Sequence, residues 1–367
     1  IPWTRFGAVL VVVTAVVVGA LGATQATAVV SLWRGRSGGA GEVHDPPSRG
    51  RRHTAWALPA AGGLTLVGAL YLLLPWADLR PVSLLDPDTL SRRQELTERG
   101  RSLLERSAHA HGLEAISRKK TATIVATDEW PGGSPWWPVP AQRFEAVRRL
   151  GTFTSQVELL EGPRAGEIHG LQSWQPYRRP PGATSVEPVD SSPLASFYLP
   201  TLQYFDELPF RLLEAPIVVD AGPKELGSKT FDRLFVTWGD EAPHARDDQY
   251  EIWIDPDTHR IAKAYYTVRE APAFSPALLA PLMRFAGVGT MHYSDYRDVE
   301  GVLMPFVQTV TLGSPEDHPS EAPGEFFHRL TVESIRFDAA DPASLEVLSG
   351  LAPPAAHKLR LDAPGRP

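Results

Sequence analysis

Two long runs of apolar residues open the chain, and neither contains a charged side chain. The first covers Phe6 to Leu32 and the second covers Trp56 to Ala77. As a helix, the first run reaches about 40 Å, which is enough to cross a hydrocarbon core about 30 Å thick with some tilt. Tryptophans flank both runs, as is typical of membrane interfaces; they are Trp3, Trp33, Trp56 and Trp76. We therefore predict that residues 1–78 form a two-helix transmembrane anchor.

The arginines near these runs predict the orientation of the anchor. The loop between the runs carries five of them, namely Arg34, Arg36, Arg49, Arg51 and Arg52. The outer flanks carry only Arg5 and Arg80. Positively charged loops stay in the cytoplasm, so both outer flanks are expected outside it. In a Gram-negative cell this places the anchor in the inner membrane and the rest of the chain in the periplasm.

A short linker at residues 79–87 precedes a helical pattern and then a long series of alternating patterns. Leucines at helical spacing predict a helix over Asp88 to His111, with Asp88 as its N-cap and Gly112 ending it. From Thr121 onward, β-branched and aromatic residues between turn signals predict strands. The predicted strands are Thr121–Thr127, Arg143–Leu150, Thr152–Leu160, Phe231–Trp238, Tyr250–Ile254, Arg260–Val268, Gly289–Tyr296, Val302–Leu312 and Phe326–Phe337.

Short turns between these strands predict an antiparallel sheet. Asp255 to Thr258 has the signature of a type I turn, and Gly301 is available for a positive φ in a second tight connection. Nucleotide-binding loops after a strand are not found, which removes the common nucleotide-dependent chemistries. The prediction is an α+β domain at residues 88–340, followed by a Pro/Ala-rich C-terminal tail at residues 341–367.

One apolar segment interrupts the strands between Ser191 and Pro216. Pro200 and Pro209 divide it into short helical pieces, and it is rich in large apolar side chains. Helices this short and this apolar must be buried against something large, and the sheet is the candidate.

The order of these segments resembles the lipoprotein-carrier superfamily of the bacterial envelope, with its LolA/LolB-like fold. The resemblance lies in the apolar helical segment, the strand pair after it, then YEIWIDPDTHRIAKAYYTV (250–268) and YSDYRDVEGVLMPFVQTVTL (293–312). It implies a curved antiparallel sheet, an incomplete β-barrel around an apolar cavity, plugged by helices. Carriers of this family are free or lipid-anchored, whereas this chain has two predicted spans and no cysteine, which favours a tethered role over a shuttling one.

Composition excludes several classes of function. A net charge of −7 and a pI near 5.9 argue against nucleic acid as a partner. The absence of cysteine excludes disulfides, thiol nucleophiles and zinc-thiolate sites. The carboxylates at Asp255, Asp257, Asp295, Asp298 and Glu300 fall in turns, where such residues cap the backbone. The histidines lack metal-binding spacing. We therefore expect a protein that is not an enzyme and needs no cofactor.

The segment from Trp130 to Pro138 carries three tryptophans among glycines and prolines. Tryptophans in an irregular segment either cover the core or contact a partner. Two interpretations stay open here: a loop folded over the mouth of the barrel, and a gate or rim that contacts the bilayer.

Alternation along the strand Val302–Leu312 places its even-numbered residues on one apolar face, with Gln308 as the only polar interruption. We expect this face to line an interior that is shared with the apolar helices and is underfilled enough to accept an acyl chain. The predicted ligand-binding residues are Trp136, Trp137, Phe197, Leu202, Phe205, Phe210, Leu234, Val236, Met304 and Phe306. A fully packed core would give the same pattern.

The leading hypothesis is a membrane-embedded envelope protein that binds a lipid or an acylated protein, with another envelope protein as a possible further partner. A periplasmic sensor or interaction module that binds a peptide or partner protein is the alternative. An enzyme of unrecognised chemistry is a third hypothesis, and it would need convergent polar groups in a cleft.

Overall fold

The computed structural model describes residues 78–80, 87–190, 192, 194–238, 247–268, 288–320 and 323–351. The predicted anchor, apart from residue 78, lies outside these residues, as do most of the linker and most of the tail. Within the described ranges, no helix is both long enough and apolar enough to cross a membrane.

A large antiparallel sheet forms the body of the described chain. Its strands follow the order β6-β5-β4-β3-β2-β1-β14-β13-β12-β11-β10-β9-β7, and β8 pairs with β9 beside this path. Every described pairing is antiparallel. The bounds are β1 Thr121–Glu129, β2 Ala141–Arg149, β3 Ser155–Leu159, β4 Ile168–Gln172, β5 Gln175–Arg179, β6 Glu187–Pro188, β7 Ile217–Asp220, β8 Lys224–Leu226, β9 Lys229–Thr237, β10 Gln249–Ile254, β11 Ile261–Thr267, β12 Val288–Val299, β13 Val302–Leu312 and β14 His328–Phe337.

The strand predictions agree with the sheet to within a few residues, and β13 agrees residue for residue. The predicted turns are also confirmed. The Asp255 carboxylate accepts the amides of Asp257 and Thr258, and Gly301 has a φ of 84°. The list of predicted strands omits β4 to β8; all five residues of β4 are buried, so that it shows no alternation between an inner and an outer face.

Three helices precede the sheet: α1 Pro87–Ser91, α2 Arg93–Ala110 and α3 Leu113–Ile116. The predicted single helix over Asp88 to His111 is thus interrupted at Arg92. Asp88 lies inside the first turn of α1, so its assignment as an N-cap is wrong. Gly112 does end α2, with a φ of 88° that a side chain would strain.

Helix α2 lies along β7, which is one end of the strand path. A Cβ atom at Gly100 of α2 would come within 2.7 Å of the Asp220 backbone nitrogen and 2.9 Å of the Val219 carbonyl carbon. The glycine therefore allows the helix backbone to approach the edge strand closely. A covered edge is protected from pairing with other chains.

The apolar segment forms short helices that we call the plug, residues 194–214. It consists of a π-helical turn at Leu194–Tyr198, helix α4 Leu199–Asp206, helix α5 Leu208–Arg211 and a 3₁₀ turn at Leu212–Glu214. Pro200 and Pro209 each stand in the first turn of a helix, where a missing amide hydrogen costs nothing.

The plug packs against both halves of the sheet. One apolar cluster joins it to β1, β2, β3, β13 and β14, and a second joins it to β9, β10, β11 and β12. A single sheet that contacts the same short helices from both halves must curve around them. In the described residues the end strands β6 and β7 do not pair, so the barrel is incomplete.

Candidate functional site

The concave face of the sheet carries the predicted ligand-binding residues, and the plug covers it. Met304 and Phe306 of β13 are buried in the same cluster as Leu202 and Phe210 of the plug. The even-numbered face of β13 therefore does line an interior shared with these helices, as the alternation predicts.

The remaining predicted residues divide between the two ends of the plug. Phe205 packs in the second cluster with Leu234 and Val236, both fully buried. The ring of Phe197 lies 6.0 Å from that of Trp136, which packs against the first cluster. Trp137 is buried in that first cluster. The ten residues thus lie in the plug or in the parts of the chain that pack along it. Their contact with a ligand stays a prediction.

Little free space lies between the plug and β12, whereas the sequence predicts an underfilled cavity beside Met304 and Phe306. The space between Phe205 and Phe210 of the plug and Tyr293 and Tyr296 of β12 measures about 10 Å³. That is room for about one water molecule and not for an acyl chain. At this place the plug side chains occupy the volume that a ligand would need; a cavity beside Met304 and Phe306 stays a prediction.

A buried ion pair joins the plug to the sheet. Arg148 of β2 donates to the carboxylate of Asp206 in α4, and the two side chains are only 4% and 5% exposed. The other carboxylate oxygen of Asp206 accepts a hydrogen bond from Nε2 of Gln308 in β13. Burial lowers the pKa of the Arg148 guanidinium to about 10, which leaves it charged at neutral pH. One plug carboxylate thus bridges two strands of the concave face.

A second polar group holds the plug to the turn after β2. Arg211 and Glu207, four residues apart in the plug, form a buried ion pair of 2.6 Å. Nη2 of Arg211 donates to the Thr152 carbonyl at 3.1 Å, and Nε2 of Gln203 donates to the same carbonyl at 2.6 Å. The Gly151 amide donates to Glu207 at 3.2 Å. These contacts join the plug to backbone groups and so orient it in the concavity.

A buried carboxylate organises the tryptophan segment at the mouth. Asp128, fully buried at the end of β1, accepts the indole N–H groups of Trp130 and Trp137 at 2.6 and 2.7 Å. It also accepts the hydroxyl of Tyr198 in the plug, and His328 Nδ1 lies 3.3 Å from its second oxygen. Burial and the neighbouring carboxylate together raise the pKa of Tyr198 well above its usual value. This arrangement closes the mouth over the plug.

These contacts exclude one form of the second interpretation of the tryptophan segment and leave its role as a gate a prediction. Trp130 and Trp137 are 4% and 5% exposed, so the segment is folded over the mouth. A rim that contacts the bilayer through these two side chains is therefore wrong for this conformation. Trp136 stacks on Tyr198 with ring centroids 5.3 Å apart and is only partly buried.

Arg148, Asp206 and Asp128 belong to the site but are not among the residues predicted from the sequence. A signal for Arg148 exists in β2, whose even-numbered residues Gln142, Phe144, Ala146 and Arg148 are all buried. A charged residue at an inward position predicts a buried partner. No pattern in the sequence names that partner, because Asp206 lies 58 residues away.

The described residues contain no group of three or more histidine, aspartate or glutamate side chains arranged to hold a metal ion. The carboxylates at Asp255 and Asp298 accept amides of their own turns, which accounts for their positions without a catalytic role. That the protein needs no cofactor stays a prediction.

A groove of about 230 Å³ lies on the outside of the domain between α2 and the end of the plug. Its walls combine apolar and charged side chains, namely Arg101, Leu104, Glu105, His109, Leu113 and Leu213. Arg101 also donates to the carbonyl oxygens of Ala215 and Pro216, at 2.5 and 2.9 Å.

Among known proteins, the chain is similar to a number of solved structures. No protein family model matches the chain, and no curated protein matches its sequence. A DUF1329 family protein from Desulfovibrio piger is 14% identical, with a TM-score of 0.44 over 68% of this chain and 99% of its own. A LolA superfamily protein from Nitrosomonas europaea is 10% identical, with a TM-score of 0.40 over 67% and 96%.

The MucA/MucB complex from Pseudomonas aeruginosa is a third similar structure, 13% identical, with a TM-score of 0.22 over 71% of this chain and 62% of the matched chain. Members of the LolA superfamily are thus among the similar solved structures, as the resemblance predicts. At these identities and scores the similarities carry no functional argument.

Proposed function

We propose that this chain is a membrane-tethered envelope protein that binds a lipid or an acylated protein on the concave face of its sheet. The observation that carries the proposal is the plug. It covers two apolar clusters of the concave face, one with Met304 and Phe306 and one with Leu234 and Val236, with helices of only eight and four residues. Helices this short have little stability of their own and depend on their packing.

Binding would require the plug to leave the concave face. The packing of the plug on the concave face supports a two-state protein, closed when the plug covers the face and open when a ligand replaces it. Acyl chains would gain about 0.8 kcal/mol for each methylene that they bury in place of the plug side chains. Short segments with few regular hydrogen bonds are typical of regions that open locally.

Two measurements on the full chain test the proposal. Mass spectrometry after detergent exchange should find co-purifying lipid. Hydrogen exchange should show faster exchange in residues 194–214 when a lipid is added, while β10 stays protected. Unchanged exchange in the plug, together with the absence of lipid, would contradict lipid binding.

The Met304→Trp substitution tests whether lipid binds on the concave face of the sheet. The larger ring should block lipid uptake at a cost of about 1–3 kcal/mol of stability. Val307→Trp is the matched control, since Val307 lies on the same strand and points to the opposite face. We expect the control to bind lipid like the parent. Equal lipid binding by both variants would contradict the assignment.

The groove beside α2 favours a second candidate, a sensor or interaction module. Its mixed lining, with Arg101 and Glu105 beside Leu104 and Leu113, fits a peptide better than an acyl chain. Under this candidate a partner protein would protect the groove from hydrogen exchange and leave the exchange of the plug unchanged.

A further inference from the structure

The buried ion pair of Asp206 has one member on the plug and the other on the sheet. Asp206 belongs to the plug, while its two donors, Arg148 and Gln308, belong to β2 and β13. The ion pair of Glu207 with Arg211 lies wholly within the plug. Departure of the plug, on which the proposed function depends, would therefore leave Arg148 and the Gln308 amide without the carboxylate that they share, whereas Asp128 of β1 would keep its contacts with Trp130, Trp137 and His328.

An unpaired Arg148 would be unfavourable at that place. Phe144 and Ala146 precede it on the inward face of β2 and are fully buried, so an acyl chain that replaced the plug on this face would cover Arg148 again without supplying a partner. A buried charge that loses its partner is strongly destabilising, since the charge stays desolvated without compensation. Any group that replaces Asp206 on this face must therefore carry negative charge, or the open state is penalised.

Gln308 adds a second, directional requirement. Its Nε2 donates to Asp206, and its Oε1 has no partner among the described residues. The guanidinium has donors and no acceptor, and it matches an anion with two or more acceptor oxygens. Asp206 thus occupies the position of a small anion between the two strands.

We propose that the ligand is an anionic amphiphile whose acidic group replaces the Asp206 carboxylate between Arg148 and Gln308. Its apolar chain lies on the face formed by Met304 and Phe306. The Asp206 carboxylate acts as an internal substitute for the acidic group of the ligand and keeps the empty protein closed. Carboxylates and phosphate monoesters share the required chemistry.

The test uses two variants that both lack the plug carboxylate. Asp206→Asn keeps the guanidinium, and the double variant Arg148→Gln with Asp206→Asn removes it. Neither variant leaves an acidic group unpaired at this position. Circular dichroism and thermal unfolding verify that each variant is folded.

Binding is measured by equilibrium dialysis of three twelve-carbon probes against the full chain held in a non-ionic amphipol. The probes are dodecanoate, dodecyl phosphate and the uncharged methyl dodecanoate, each below its micelle concentration. Asp206→Asn should bind at least one anionic probe about tenfold or more tightly than the ester, and the double variant should bind all three equally. The two anionic probes distinguish a carboxylate from a phosphate.

The outcomes separate this inference from the proposed function. If the ester binds as tightly as both anionic probes to Asp206→Asn, the proposed function stands and the anionic ligand is wrong. A preference for the anion that persists in the double variant also overturns the role of Arg148. If no probe binds any variant or the parent, the proposed function fails and this inference with it.

Discussion

The indole Nε1 of Trp137 donates a 2.7 Å hydrogen bond to the Asp128 carboxylate, nine residues earlier in the chain. The same oxygen accepts the indole of Trp130 and the hydroxyl of Tyr198. Three buried donors from the loop and the plug thus share one acceptor. The carboxylate therefore joins the closure of the mouth to the position of the plug.

Removing the Asp128 carboxylate should lower the stability of the fold. Asp128→Ala leaves three donors buried without a partner, and we expect it to lower the free energy of unfolding by about 3 kcal/mol or more. Urea unfolding of the full chain in mild detergent measures this. Asp298→Ala is the control, since Asp298 accepts the Gly301 amide in an exposed turn, and it should cost less than about 1 kcal/mol. Equal losses in the two variants would contradict a special role for Asp128.

His111 should make stability depend on pH. Its Nδ1 donates to the Ser107 carbonyl at 2.8 Å, and burial lowers its pKa to about 4 from the usual 6.5. Because the unfolded chain binds the proton more readily, the stability from this group is complete above pH 6.5 and is lost as the pH falls towards 4.

The His111→Gln variant checks this sign. Lowering the pH from 7.5 to 5 should remove about 2 kcal/mol of unfolding free energy from the parent that the variant does not lose. The stability of the parent relative to the variant should therefore fall by that amount. Between pH 7.5 and 9 the difference in unfolding free energy between the two proteins should stay constant. A difference that stays constant down to pH 5 would mean that His111 titrates normally in the folded protein.

The contact between α2 and β7 predicts an unusual effect of alanine. In an exposed helix, Gly→Ala is stabilising by about 1 kcal/mol. At Gly100 the new Cβ would meet the backbone of Val219 and Asp220, so we expect Gly100→Ala to destabilise the protein by about 1–3 kcal/mol. Thermal unfolding measures the change. Gly132→Ala, where no atom lies within 4 Å, should have little effect.

The predicted topology can be tested in cells. Protease added to intact spheroplasts should cut the domain at residues 88–340 and spare the arginine-rich loop at residues 34–52. Lysed spheroplasts are the control, in which both regions should be cut. Protection of the domain in intact spheroplasts would reverse the orientation and place the ligand site in the cytoplasm.

Local pattern in the sequence determined most of the sheet. The bounds of β13, the inward direction of Met304 and Phe306, and the turns at Asp255 and Gly301 all follow from alternation and turn chemistry. These signals are local because the side-chain period of a strand and the φ of a turn depend on neighbouring residues. Burial of the apolar segment against the sheet also followed, since its side chains had no other apolar surface to cover.

The tertiary structure alone decided how the concave face is occupied. Alternation shows that Met304 faces inward, but it does not show whether helices or a ligand fill the space, because that depends on the summed volumes of distant side chains. The pairing of Asp206 with Arg148 and Gln308 joins residues 58 and 102 positions apart. Such contacts follow from strand register and from the placement of the plug, so only the folded chain brings these charges together.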